Sequence, residues 1–320
     1  MMAKRVSVII PTYKRYEDPL LTLQSLNTQT ILPDEVIIFD ESPDDRLRQI
    51  LKVVNMGYPV RYVWAPSKFP SLARVRNKST RLAKGDIIVF LDDDVILHSE
   101  YLKNMLSFLE DHPEVLGVTG CITNIRLPRL YRMFSSLFLL FRQTKRPKVQ
   151  RSFIPTMSSC KEHVPTQWLS GCNMAYRRKV LEKFDFDWKL LKYSYSEDVD
   201  FSYQIYKKYG SNSLYLVRGS LLIHKKSPSG RLLGYSLEAH RCVTNLYMLY
   251  KHFGDTKLNI LVFLWRNSGE ILTHFVSGII HKDLKTEIRN ILTILRAIKF
   301  ALKNLTRIKK GDIIELQKYH

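Results

Sequence analysis

Short runs of near-continuous Val and Ile mark the N-terminal part of the chain, and each closes on a polar cluster. Arg5–Ile10, with VSVII at its centre, reads as a buried strand ended by Pro11. A polar loop then leads into a helix whose apolar positions are Leu20, Leu21, Leu23 and Leu26. Glu35–Phe39, Pro59–Trp64 and Asp86–Leu91 read as three further strands, and Ser71–Ala83 suits a helix closed by Gly85. Strands that are apolar on both faces and alternate with helices predict an α/β fold, a mostly parallel sheet with helices on both sides. Ligands in such sheets bind at the carboxyl ends of the strands. Thr12, Tyr13, Arg15, Asp40 and the triplet Asp92-Asp93-Asp94 all gather at those ends.

The pattern is less regular further on. Residues 126–151 read as a long loop or surface helix. From Thr166 the order resumes with Trp168–Ala175, a helix running to Phe184, a helix over Phe201–Tyr209, and two short strands, Leu214–Val217 and Leu221–His224. Everything after about Leu232 reads as helical. The organisation expected is a domain over 1–231 (1–125 and 150–231 as its two halves) and a helical extension over 232–320.

Composition narrows the class. The 320 residues are 45% hydrophobic and 25% charged, as in a globular protein, which excludes disorder, collagen and coiled coil. Four cysteines without a CxxC or zinc-type spacing predict reduced thiols in a cytoplasmic protein. Val6–Ile10 is too short for a signal sequence. Leu258–Ile280 is interrupted by Arg266 and Glu270, so no membrane-spanning helix is expected.

The net charge of +20 is unevenly placed. Arg126–Arg151 holds eight bases and no acid, and residues 281–310 hold nine bases against Asp283 and Glu287 alone. Within 281–310, Ile288, Ile291, Leu292, Leu295, Ile298, Leu302 and Leu305 repeat at helical spacing with bases on the flanks. Such a helix can lie on an anionic membrane or pack on its own domain. A nucleic-acid footprint is disfavoured, because no recognised binding motif accompanies the charge.

Three aspartates directly after a buried strand repel one another, which a bound divalent cation would explain; the alternative is a polar strand-end turn capping the next helix. Mg²⁺ or Mn²⁺ takes oxygen ligands of this kind. Alternation along an extended segment lets Asp92 and Asp94 face one site while Asp93 faces elsewhere. Asp40 can contact a base or ribose, or can simply cap a turn. Arg76 and Asn77 can approach a diphosphate or stabilise a loop. His224 can be a further metal ligand or a structural histidine. Glu197-Asp198 is a second acidic pair, suited to a general base or to capping the following helix.

Taken together, VSVIIPTYKR, Asp40, Arg76-Asn77, the segment ending in Asp92-Asp93-Asp94, Gly171-Cys172-Asn173-Met174-Ala175 and Glu197-Asp198-Val199-Asp200 resemble the family 2 glycosyltransferases in order and spacing. The resemblance covers about residues 4–231. It implies the GT-A fold, a nucleotide-diphosphate sugar donor, a divalent cation and transfer to an acceptor hydroxyl with inversion. It also implies roles. Pro11, Thr12, Tyr13 and Arg15 border the donor with Asp40, Arg76, Asn77 and Asp93, and Asp92 lies near the ribose. Asp94 holds the metal with Asp92 and His224, Asp198 is the catalytic base, and Glu197 supports the acceptor. Trp168, Gly171, Cys172, Asn173 and Arg231 lie on the acceptor side.

The sequence also departs from the family. Asp40-Glu41-Ser42 stands where many relatives have two aspartates, and Ser227–Arg231 occupies roughly the place of the QxxRW motif of processive synthases. A non-processive enzyme adding one sugar is therefore expected. Its expected setting is the inner face of the cell membrane, held peripherally, with a glycan or lipid-linked acceptor. Two rivals compete: a nucleotidyltransferase, whose Gly-rich phosphate loop has no counterpart in PTYKRYEDPLL, and an inactive lipid- or nucleic-acid-binding relative, which would not need Asp92, Asp94 and Asp198 together.

Overall fold

The computed structural model describes residues 4–125 and 128–318. In chain order the elements are β1 (Val6–Thr12), α1 (Asp18–Asn27), β2 (Glu35–Asp40), α2 (Arg46–Leu51), β3 (Val60–Trp64), α3 (Leu72–Leu82), β4 (Ile87–Leu91), β5 (Val95–Leu97), α4 (Tyr101–Asp111), β6 (Gly117–Ile122) and α5 (Arg129–Leu137). There follow β7 (Val164–Pro165), β8 (Asn173–Arg177), α6 (Arg178–Leu181), α7 (Glu197–Tyr209) and β9 (Leu214–His224). The chain ends in α8 (Gly234–Phe253), α9 (Lys257–Ile280), α10 (Leu284–Lys303), α11 (Leu305–Lys309) and α12 (Ile314–Lys318).

Among the described residues the strands form one mixed sheet in the order β3-β2-β1-β4-β8-β6-β9-β5, with β7 added to β9. The first four strands are parallel, and β8 runs antiparallel between β4 and β6. Residues along β1, β2 and β4 alternate between two cores, as strand geometry requires. Ile9, Ile37, Ile88 and Phe90 face one side, where they share a core with Val243, Leu246, Ala297 and Ala301 of the C-terminal helices. Val8, Ile10, Val36, Ile38 and Val89 face the other, against Leu23 and Leu26 of α1 and Leu102 and Met105 of α4. The helices after Gly234 therefore complete the protein core by covering one face of the sheet.

Several elements differ from the expected pattern. Strand β1 continues through Pro11 and Thr12, because pairing with β4 stops at Ile9–Phe90 and leaves Pro11 a neighbour on one side only. Tyr176 and Arg177, expected in a helix, instead end the central strand β8. Pairing with β4, and of Tyr176 with β6, overrides local preference there, and the helix that follows is the four-residue α6. The two strands expected over 214–224 are one. Gly219, at φ +89°, lies within it, and the pairing with β6 shifts register beside it. Helix α5 and an irregular segment account for most of the basic middle stretch, whose first base, Arg126, lies outside the described residues.

Candidate active site

The sheet topology delivers distant residues to one edge. Thr12 pairs with Asp40 at the ends of β1 and β2, Leu91 pairs with Asn173, and Val95 pairs with His224. Because β8 is antiparallel to β4, it is the start of β8 that meets the end of β4, and the Asp92 N–H donates to the Cys172 carbonyl at 3.2 Å. The result is a cleft of about 400 Å³ lined by residues from β1, the Asp92–Asp93 turn, Gly171–Cys172, the start of α7, His224 and the Ser229–Leu232 segment.

The three aspartates divide as alternation suggests. Asp92, Asp94 and His224 each present a ligand atom, and these atoms lie within 4.8 Å of one another. Asp93 turns back to β1, accepting from the Thr12 hydroxyl at 2.6 Å and from Arg15 Nη1 at 2.5 Å. Burial pushes the Asp93 carboxyl up to about 7, against the pull of Arg15 and Thr12. Burial also works against the charge on Asp94, but His224, Arg15 and the Ser227 N–H hold it down at about 2. His224 would lose its proton on burial alone; its hydrogen bond to Asp94 pushes it up to about 10.

A divalent cation fits this group. His224 Nε2 and Asp94 Oδ1 lie 3.1 Å apart, both buried, and neither has another hydrogen-bond partner among the described residues. Two carboxylates with one imidazole form a donor set suited to an ion such as Mn²⁺.

Facing this group is the first turn of α7, entered through a strained loop. Lys192, Ser194 and Ser196 all have positive φ, between 48° and 64°. Asp198 Oδ2 accepts from the Gly171 N–H at 2.8 Å, and Oδ1 accepts from the Val199 N–H at 2.9 Å. A Cβ at position 171 would stand 3.1 Å from Asp198, so glycine lets the two segments meet. Burial raises the Asp198 carboxyl above its ordinary value, opposed by the Gly171 N–H and by Arg76. Arg76 is wholly buried. It pairs with Glu197, donates to the Gly171 carbonyl at 2.8 Å and lies 3.5 Å from Asp92. One guanidinium thus ties both acidic groups together, with Phe90 and Phe186 against it.

Other residues singled out in the sequence lie elsewhere. Asp40 is buried outside the cleft lining, and its oxygens accept from the Ser42 N–H and the Tyr62 hydroxyl. Its neighbour Glu41 lines the cleft, its carboxyl raised to about 6 by burial while it accepts from the Ser71 N–H. The Asn77 amide is spent on the backbone of Phe186 and does not line the cleft. Asn173 is buried, bonding Thr119 and the Gly120 N–H. Trp168 lines a second cavity of about 290 Å³, which shares Ser170 with the cleft.

Pro11, Tyr13 and Arg231 do line the cleft. Arg231 reaches the Asp94 end, 3.5 Å from its carboxylate. The Ser227–Arg231 segment is held over the β1 end by Arg15, which donates to the Ser227 and Ser229 carbonyls, both at 2.8 Å. Gly230, at φ +73°, passes so close that a Cβ would meet the Tyr13 carbonyl at 2.4 Å. Sequence reasoning missed Lys68, Lys192, Tyr193 and Tyr195 as lining residues; the tyrosines' signal was their place immediately before Glu197-Asp198.

Comparison with known proteins bears on the family and the fold. The model of the family described as glycosyl transferase family 2 matches residues 7–185. Validoxylamine A glucosyltransferase of Streptomyces hygroscopicus subsp. limoneus is 32% identical over 36% of this chain and 26% of its own length. The amylovoran biosynthesis glycosyltransferase AmsB of Erwinia amylovora is 34% identical over 32% of this chain and 35% of its own. The chain thus spans about a quarter to a third of these relatives' length. Among solved structures, the mannosyltransferase PcManGT of Pyrobaculum calidifontis, in complex with GDP-Man and Mn²⁺, superposes with a TM-score of 0.57 at 17% identity, covering 93% of this chain and 87% of that one. S. aureus TarS 1-349 gives 0.52 at 17% identity, covering 98% and 89%. The fold is GT-A, and the chain belongs to glycosyl transferase family 2.

Proposed function

We propose that this chain transfers one sugar from a nucleotide-diphosphate sugar to an acceptor hydroxyl, with inversion at the anomeric carbon. The observation that carries the reading is the meeting, in one cleft, of Asp92 and His224, which are grouped with the buried Asp94, and Asp198 at the start of α7. The donor's nucleoside lies against Pro11, Thr12, Tyr13 and Glu41, with its diphosphate toward Asp92, Asp94, Arg15 and Arg231. Asp92, Asp94 and His224 would hold Mn²⁺ or Mg²⁺, which when bound supplies Lewis-acid neutralisation of the leaving diphosphate.

The chain's own residues do the rest. Arg15 and Arg231 add positive charge at the same end of the cleft. Asp198 accepts the acceptor's proton, its carboxylate oriented by the Gly171 and Val199 N–H groups. Attack from the side opposite the leaving group inverts the centre and needs no covalent intermediate. Gly171, Cys172, Tyr193 and Tyr195 border the acceptor.

A cell-envelope polysaccharide or glycolipid is the proposed acceptor class, in keeping with a relative named for amylovoran biosynthesis. The proposed setting is the cytoplasmic face of the membrane, held peripherally through the basic stretches.

The test is Asp198→Asn. Turnover should fall by about 10²–10⁴ while nucleotide binding stays within error. In the unsubstituted enzyme, Asp198 must be deprotonated to act, and burial raises its pKa. The rate should therefore fall, as pH is lowered, at a pH above the ordinary aspartate value of about 3.9. Full activity of the Asn variant would remove Asp198 from the mechanism.

A further inference from the structure

Helix α9 is interrupted in sequence by Arg266 and Glu270, yet neither charge faces outward. The Arg266 side chain is 1% exposed and donates to Glu270 at 2.7 Å, and Glu270 also binds Arg241 of α8 at 2.5 Å. With both turned inward, the exposed positions of α9 from Leu258 to Ile280 carry no Asp, Glu, Lys or Arg. Leu258, Leu261, Trp265, Leu272, Phe275 and Ile279 recur at alternating spacings of three and four residues or their sum, and all are 38–63% exposed. That is an apolar stripe along most of a 24-residue helix, left uncovered.

Its surroundings are basic and apolar as well. Helix α10 packs along α9 and exposes Leu284, Ile288, Leu292 and Leu295, interleaved with exposed Lys285, Arg289, Arg296 and Lys299. Helix α5 abuts the middle of α9: Phe138, just after it, stacks on Trp265 at 4.7 Å, and Trp265 Nε1 donates to the Leu137 carbonyl. Met133 and Leu137 of α5 are also exposed, at 64% and 62%.

We infer that the outward stripe of α9, with the neighbouring faces of α5 and α10, inserts into the headgroup region of an anionic membrane. The inference rests on the membrane-surface reading above and names the surface responsible. A long apolar stripe bordered by Lys and Arg is the pattern of an interfacial helix. A second copy of this chain fits less well, since pairing would bring two chains of +20 face to face. No helix among the described residues is long and apolar enough to cross the bilayer, so insertion is in the plane of the surface.

The seated helix is also tied to the cleft. Glu270 holds Arg241, whose guanidinium lies 5.6 Å over the ring of Tyr195, a cleft residue.

The test is flotation with phosphatidylcholine vesicles, with and without phosphatidylglycerol, at about 0.15 M and about 1 M salt, where screening lengths are about 8 Å and 3 Å. The full chain is compared with a Leu261→Gln, Phe275→Gln, Ile279→Gln variant. The expected result is anionic-vesicle binding that survives high salt in the native chain and falls more than about tenfold in the variant. Unchanged Mn²⁺-dependent nucleotide binding confirms that the variant is folded. Binding abolished by salt and equal in both proteins would overturn insertion while leaving the peripheral reading intact. No flotation under any condition would overturn both. Dimerisation in light scattering that the variant loses, without flotation, would assign the stripe to a second copy.

Discussion

At the carboxyl edge of the sheet, charged side chains are packed inside the protein, whereas along α9 apolar side chains are left outside. Arg76, Glu197 and Asp94 are almost wholly enclosed, while Leu261 and Phe275 stand half in solvent. Each region departs from ordinary burial in the opposite sense. Buried charge is expensive unless it is paired and hydrogen-bonded, and an extended exposed apolar face implies something that covers it. Arg266 and Glu270 belong to both stories: by facing inward as a pair they keep the outer face of α9 uncharged. Neither departure improves the fold on its own account, and each stands at the place proposed above for a ligand or a surface.

The sharpest way to break this comparison is to remove the buried guanidinium beside the cleft. Arg76→Met leaves Glu197 buried without its partner and should destabilise the protein by about 3–5 kcal/mol. At roughly 2 °C per kcal/mol for a chain of this size, the melting temperature should drop by about 6–10 °C. A drop below about 2 °C would mean that the acidic groups do not depend on Arg76.

On α9 the expectation is the reverse. The triple glutamine variant removes only half-exposed apolar groups, so each substitution should stay within about 0.5 kcal/mol. A calorimetric scan should then place the two proteins within a few degrees of each other. A loss as large as that of Arg76→Met would show that the stripe is part of the packed core.

How much of this was legible in sequence differs between the regions. The first four strands were readable because a parallel sheet covered on both faces demands unbroken apolar runs, and Asp92–Asp94 was readable because it ends one of them. Strand β5, helix α4 and strand β6 left no comparable mark and were not assigned. The sequence pointed to Asp40, yet Glu41 is the one that lines the cleft, because which neighbour turns inward depends on how the chain leaves β2. Asn77 answers to Phe186, 109 residues away, a partner that no local pattern reveals. The α9 stripe was present in the spacing of its leucines, but hydropathy averaged along the chain counts Arg266 and Glu270 without knowing which way they point.

The most direct test of the central claim, that this cleft holds a nucleotide beside a divalent cation, is calorimetric titration of the full chain with UDP, GDP, dTDP and CDP. Each is measured with and without Mn²⁺. The structure predicts that one of them binds, that binding weakens markedly without the ion, and that Asp94→Asn removes the ion's effect. Absence of binding by all four nucleotides with Mn²⁺ present would contradict it.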